Sequence, residues 1–158
     1  MIYFTKIDTP VGKLLAVKKQ GILIKLSFPK KDHNQISDPL WKEDKAKFSK
    51  EIQEISDYFS GQLKAFSNIP LPKGTDFQQK IWKALLDIPY GTTISYQDIA
   101  IAADSPKACR AAGNALNINP LPIIIPCHRV IGKDGSLTGF GSGLPIKKYL
   151  LELEQKYS

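Results

Sequence analysis

TDFQQKIWKALLDIPYGTTISYQDIAIAADSPKACRAAGNAL, residues 75–116, decides the fold of the half of the chain that contains it. Thr75-Asp76-Phe77-Gln78 is a capping box, because a Thr side chain and a Gln three positions on satisfy each other's orphan amides. Phe77, Ile81, Ala84, Leu85 and Ile88 then line one helical face. Pro89-Tyr90-Gly91 turns the chain, and Ser95-Tyr96-Gln97-Asp98 opens a second helix running to about Ala103. Asp104-Ser105-Pro106 breaks that helix, and Pro106 suits the first turn of a third, from Lys107 to about Leu116. Two short helices across a tight turn read as a helix-turn-helix.

The third helix has an unusual surface. Ala108, Ala111, Ala112 and Ala115 form a small-residue face that allows close packing, while Lys107, Arg110, Asn114 and Asn117 make a polar stripe with no acidic member. Such a stripe suits phosphates and base edges. Of 22 basic residues only Arg110 and Arg129 are arginine, and Arg offers a planar fork that Lys lacks.

Upstream, three β-like runs, Ile2–Ile7, Leu14–Lys18 and Ile22–Phe28, are separated by Thr9-Pro10-Val11-Gly12 and Gln20-Gly21, which predicts a hairpin or meander. Pro29–Pro39 reads as a polar loop. Phe48, Ile52, Ile55 and Phe59 recur at helical spacing between Asp44 and Phe59, and Gly61 ends the run. Gly61 to Gly74, with Pro70 and Pro72, reads as a linker. The expectation is an α/β protein of two domains, 1–70 and 71–158.

Composition narrows the class. A chain of 158 residues with 42% hydrophobic residues can build a core and is not a disordered tail. No apolar run approaches the roughly 20 residues of a membrane span, and MIYFTKIDTP lacks a secretory layout. A soluble, cytoplasmic protein is expected. Cys109 and Cys127 are too few for a disulfide framework and are expected as free thiols. With only His33 and His128 beside them, four zinc ligands would have to include Cys127, so no metal is expected. The net charge of +7 suits a polyanionic partner. It is spread as +5 over residues 1–74 (13 basic, 8 acidic) and +2 over 75–158 (9 and 7), and so locates no face.

The chemistry points to Ile123-Ile124-Ile125-Pro126-Cys127-His128-Arg129-Val130-Ile131. Three β-branched residues lead into a proline, then Cys and His side by side. Positive neighbours stabilise a thiolate, which is the nucleophilic form. Adjacent residues usually point apart, so His128 is expected to act on the sulfur through a water.

Pro126-Cys127-His128-Arg129-Val130 resembles the active-site signature of the O6-alkylguanine-DNA alkyltransferase family, the methylated-DNA–protein-cysteine methyltransferases. Ile88-Pro89-Tyr90-Gly91-Thr92, Ser95-Tyr96, Arg110-Ala111-Ala112-Gly113, Asn119-Pro120, Gly135, Gly139, Lys147, Leu150-Leu151 and Glu154 stand in the same order and spacing. The resemblance covers roughly 75–156, with residues 1–74 fitting only in outline. It implies a small ribonuclease H-like α/β domain followed by a mainly helical domain with a winged-helix-like helix-turn-helix.

The resemblance also implies direct, single-turnover repair of O6-alkylguanine in double-stranded DNA, by a monomer without cofactor. Cys127 would be the alkyl acceptor, and His128 would relay its proton through water to Glu154, which orients the imidazole. Arg110 would fill the hole left by the flipped nucleotide. Tyr96 would press the phosphate around and donate a hydrogen bond to the guanine ring. Asn119 would brace the turn before Cys127, Pro122 would line the pocket, and carbonyls of Cys127 and Val130 would read the exocyclic amine. Lys147 would support the same loop, while Ser95, Asn114 and Lys107 would join the DNA contacts. The physics agrees: an alkyl carbon on O6 lies inside the stack, so the base must be extruded. Sulfur attack expels the guanine as an anion unless a nearby hydroxyl supplies a proton, a role open to Tyr96.

The last helix supports one assignment. Pro145 starts it, Ile146, Leu150, Leu153 and Tyr157 form a core face, and Lys147, Leu151 and Glu154 form a flanking stripe. That stripe sets Glu154 at the core edge, within reach of His128. Two positions depart from the family pattern. Phe140 replaces the common Tyr, and Gly141 replaces a frequent Ser, leaving its amide to face the substrate oxygen and more room for bulky alkyl groups.

Three rivals fit less well. A binding protein that flags alkylated DNA would lack the nucleophile. A Cys-His hydrolase would need a nucleophile turn of the G-x-S-x-G kind and leaves the Arg110 stripe without a purpose. A regulator sensing its own alkylation would need a further domain.

Overall fold

Two tight turns build the amino-terminal sheet. Thr9 Oγ1 donates to the Gly12 carbonyl at 2.6 Å and accepts from the Val11 amide at 3.2 Å, closing β1 (Ile2–Thr9) onto β2 (Gly12–Lys19). Their antiparallel register runs from Ile2 opposite Lys19 to Thr9 opposite Gly12. Gln20 and Gly21 both take positive φ, 52° and 76°, the handedness that suits a two-residue hairpin into β3 (Ile22–Ser27). A two-residue strand, β4 (Lys42–Glu43), then pairs parallel with β1, giving the order β3-β2-β1-β4.

The computed structural model describes residues 1–28, 38–141 and 143–158. The loop expected at Pro29–Pro39 lies outside them up to residue 37, as does His33. The segment from Asp44 is a 3-10 turn (Lys45–Phe48), with Asp44 accepting from the Ala46 amide, followed by α1 (Ser49–Phe59). Its buried residues are Phe48, Ile55 and Tyr58, so the inward face sits one position round from the expected Ile52 and Phe59. These elements form one unit, Met1–Pro70; the other is Leu71–Ser158.

In the second unit the capping box is present as read. Thr75 and Gln78 exchange hydrogen bonds at the start of α2 (Asp76–Leu86). Ile81, Trp82 and Leu85 are buried there, and the Trp82 indole donates to the Ala115 carbonyl at 3.0 Å. After the short β5 (Ile94–Ser95), Ser95 and Asp98 make a second capping box on α3 (Tyr96–Ala102). The next helix, α4 (Cys109–Asn117), begins two residues later than expected. Pro106 is not in its first turn: the Ala108 amide donates to the Ser105 carbonyl at 2.9 Å, so Pro106 occupies the second position of a separate β-turn. Ala112 and Ala115 form the buried small-residue face of α4, whereas Ala111 is exposed. β6 (Val130–Ile131) pairs parallel with β5, and α5 (Leu144–Tyr157) closes the unit with Pro145 in its first turn. Among the described residues no helix is long and apolar enough to cross a membrane.

Candidate active site

The parallel pairing of β5 with β6 sets Ile94 opposite Val130 and Ser95 opposite Ile131. Tyr96, the first residue of α3, is thereby brought beside the chain that has just passed through Cys127. The approach to Cys127 is a compact turn in which the Ile125 amide reaches back to the Leu121 carbonyl at 2.8 Å. Asn119 braces both of its ends, accepting from the Leu121 amide at 3.0 Å and donating to the Ile125 carbonyl at 2.8 Å. Ile123, at the middle, has φ 75° and is fully buried. A β-branched residue in the left-handed region is strained by about 1–3 kcal/mol and persists only where its surroundings over-determine it.

Cys127, His128 and Arg129 form a 3-10 turn, and every residue from 121 to 130 is buried. His128 and Arg129 both reach α5. His128 Nε2 lies 2.6 Å from Glu154 Oε2; Arg129 Nε lies 2.8 Å from Oε1, and its third nitrogen 3.1 Å from Oε2. The Gly91 amide adds a bond to Oε1 at 3.2 Å. A carboxylate can only accept, so Nε2 carries the imidazole hydrogen and Nδ1 is left as an acceptor. That nitrogen is buried without a hydrogen-bond partner among the described residues. Glu154, expected at the core edge, is in fact inside, with 1% of its surface exposed. Burial favours its neutral form, but His128 and Arg129 outweigh that and hold the carboxyl well below the usual range.

The thiol is less ionised than its neighbours suggested. Burial pushes Cys127 up to about 11, with the Asn119 side chain and the Lys147 charge only partly opposing it. Burial likewise lowers His128, Glu154 opposes, and the charges of Arg129 and Lys147 push it further down. The stabilisation that positive neighbours lend a thiolate is thus outweighed by desolvation, which favours the neutral thiol and the neutral imidazole.

Lys147 is also fully buried, and burial lowers its pKa. Its Nζ donates to the Val130 carbonyl at 2.6 Å and the Thr138 carbonyl at 2.8 Å. The Tyr96 hydroxyl donates to the same Thr138 carbonyl at 2.8 Å. The Tyr96 ring lies between Gly113 of α4 and Gly139: a Cβ on Gly113 would stand 3.8 Å from the ring, and one on Gly139 3.4 Å from the hydroxyl. Lys147 therefore ties together the strand after Cys127 and the loop that holds Tyr96.

The remaining expected positions divide. Pro122 is buried in the turn that Asn119 braces. The Val130 carbonyl already accepts from Lys147 and the Cys127 carbonyl from the Val130 amide, leaving each one lone pair. Ser95 spends its hydroxyl as the cap of α3. Gly141 is a tight fit and not spare room, since a Cβ there would come within 2.8 Å of the Asn117 carbonyl. Arg110 and Asn114 are exposed on α4, and Lys107 is exposed in the turn before it, away from the buried group. The residue that sequence reasoning undervalued is Arg129. The scarcity of arginine marked it, but nothing local revealed that it is buried against Glu154. Among the described residues no group of three or more His, Cys, Asp and Glu side chains is placed to hold a metal ion.

The comparisons with known proteins agree along the whole chain. Residues 76–156 match the family described as 6-O-methylguanine DNA methyltransferase, DNA binding domain, and residues 2–72 match its ribonuclease-like domain. A methylated-DNA–protein-cysteine methyltransferase of Methanosarcina barkeri is 46% identical over 98% of this chain and 98% of its own. One from Haemophilus influenzae is 45% identical over 98% and 87%. Among solved structures, the Mycobacterium tuberculosis OGT in complex with DNA superposes with a TM-score of 0.89, at 43% identity, covering 99% of this chain and 94% of that one.

Proposed function

As the chain belongs to the 6-O-methylguanine DNA methyltransferase family, we propose that it repairs DNA by moving the alkyl group of O6-alkylguanine in a duplex onto Cys127, once per molecule. The observation that carries this reading is the buried Cys127 thiol next to a His128–Glu154 pair, in a unit that also presents an exposed polar helix. The thiol proton passes to His128, directly or by one water. The sulfur lone pair forms the bond to the alkyl carbon, the C–O6 bond breaks, and its electron pair goes to the guanine. Tyr96 steadies that anion with its hydroxyl, and the base takes up one proton, equal to the one the thiol lost. The balance closes with the protein and DNA alone, so no cofactor is required. A thioether has no ready route back to a thiol, which limits each chain to one event.

Binding is divided from chemistry. Arg110, Asn114 and Lys107 meet the duplex, with Arg110 filling the space of the extruded base. Tyr96 can leave Thr138 to serve the substrate without orphaning that carbonyl, because Lys147 continues to donate to it. The free lone pairs on the Cys127 and Val130 carbonyls suit the exocyclic amine of guanine. Protein of this kind works where the DNA is: beside the nucleoid in the cytoplasm of a cell without a nucleus, in the nucleus of a cell that has one. Nucleoside analysis of an O6-methylguanine duplex after incubation tests the reading. Conversion to guanine with the strand uncut and no free base released is expected; unchanged O6-methylguanine would contradict it.

A further inference from the structure

Besides the Gly91 amide, side chains of two different kinds grip Glu154. His128 takes one oxygen, and Arg129 reaches both, with Nε on Oε1 and its third nitrogen on Oε2. The guanidinium is itself fixed: Nη1 donates to the Ile88 carbonyl at 2.7 Å, and the Tyr90 ring lies 5.7 Å from its carbon. The charge of Glu154 is therefore matched by Arg129 whether or not His128 is protonated. The charged groups that act on the imidazole are Arg129 from its own turn, with Lys147 and Glu154 from α5; the Tyr90-Gly91 turn faces Glu154.

A buried histidine whose sole partner is a carboxylate is drawn towards the imidazolium, since an opposite charge at contact favours the charged form. Both of its nitrogens would then carry hydrogen, and neither could take a proton from a thiol. A second cation on the same carboxylate removes that pull. We propose that Arg129 is a positioning residue for the transfer reaction: by clamping Glu154 it keeps His128 neutral, with Nε2 protonated and Nδ1 open to the Cys127 proton. This rests on the reading of Cys127 as alkyl acceptor and His128 as its base. The depression of the His128 pKa, to which burial contributes most and Arg129 and Lys147 add, runs in the same direction. The buried Nδ1, which no protein group among the described residues engages, is left to act as the acceptor. When the thiol S–H bond breaks, its electron pair stays on sulfur to form the S–C bond. The proton rests on Nδ1, and the transient imidazolium still donates to Glu154.

The two histidines of the chain make a direct test possible. In His33→Gln protein the single imidazole reports its tautomer and titration through long-range 1H–15N NMR. His128 is expected neutral, with hydrogen on Nε2, at neutral pH, and its midpoint is expected below that of an ordinary imidazole. Arg129→Met should raise its midpoint by about one pH unit or more, the size of effect a lost contact charge produces. Arg129→Lys should hold it near the original value, and adding Glu154→Gln to Arg129→Met should bring it back down. The acid limb of single-turnover transfer to an O6-methylguanine duplex should move with the NMR midpoint. An imidazole in the His33→Gln protein that titrates at or above the ordinary histidine value, or an unchanged midpoint in folded Arg129→Met, overturns the proposal. If Arg129→Met does not fold, the tautomer in the otherwise unaltered chain and the Arg129→Lys titration decide it. The NMR result is independent of repair, so a failure of the functional reading would show as absent transfer while the titration still stood.

Discussion

Helices α4 and α5 carry the same kind of pattern and use it in opposite ways. Arg110, Asn114 and Asn117 lie at helical spacing on α4, and Lys147 and Glu154 do so on α5. The first stripe is exposed, while Lys147 and Glu154 retain 0% and 1% of their surface. Hydropathy periodicity tells which residues share a face and is silent on whether that face meets water or other polar groups. On α5 the deciding fact is a set of partners far away in sequence, namely the Val130 and Thr138 carbonyls for Lys147, and His128 and Arg129 for Glu154. A buried charge survives only when paired and hydrogen-bonded, so α5 is committed to one arrangement. Among the described residues the stripe of α4 makes no such commitment, and its exposure leaves it open to a partner.

That contrast makes predictions of decreasing size. Cys127→Ala should abolish alkyl transfer while leaving duplex binding unchanged in a gel-shift titration, because the α4 stripe is untouched; residual transfer would place the acceptor elsewhere. Glu154→Gln should cost about 3–5 kcal/mol of stability in urea unfolding, since it leaves a buried Arg129 without its counter-charge. The same variant should lose part of the wild-type acid sensitivity. Glu154 is depressed in the folded chain, so below about pH 4.3 the unfolded chain takes up a proton that the folded one does not. Stability held above that pH is lost as the pH falls, and in the Gln variant this limb should be shallower. An unchanged limb would mean that Glu154 is not the buried anion of the site.

On the α4 side, Arg110→Ala should slow repair of a duplex by about 100-fold, the scale of a few kcal/mol for extruding a base. Reaction with a free O6-substituted guanine should hardly change, and Lys at 110 should restore duplex repair only in part. Equal losses on both substrates would move Arg110 from the helix surface into the chemistry. Smallest of all, Lys107→Ala should lower the slope of log affinity against log salt by about one phosphate contact. Its unfolding free energy should stay within about 0.5 kcal/mol of wild type.

How much of this was legible in the sequence depended on how local each feature is. The capping box of Thr75 with Gln78 is closed within four residues and is legible directly, whereas at Ser95–Asp98 the sequence marks only the start of a helix and the structure adds the box. The hairpin at Gln20-Gly21 is legible directly too. The start of α4 was misread because Pro106 suits both the first turn of a helix and the second position of a β-turn, and the Ser105–Ala108 bond selects the latter. β4 is two residues long and exists only through pairing with β1. The left-handed Ile123 runs against its own backbone preference and is imposed by the turn that Asn119 closes. The types of residue in the Cys127-His128-Arg129 run were visible, but their burial was not, and burial outweighs the pull of the positive neighbours on the thiol.

The central claim is that Cys127 accepts one alkyl group and keeps it. With an excess of duplex carrying isotopically labelled O6-methylguanine, intact-protein mass should rise by one methyl group and stop, and peptide mapping should find the label on Cys127. A thiol pushed up to about 11 should make this selective, because a simple alkylating reagent would gain about tenfold per pH unit at Cys127 well beyond pH 8.5. The duplex, in contrast, should deliver its methyl group there at neutral pH. Label on Cys109, or turnover beyond one equivalent per chain, would contradict the account.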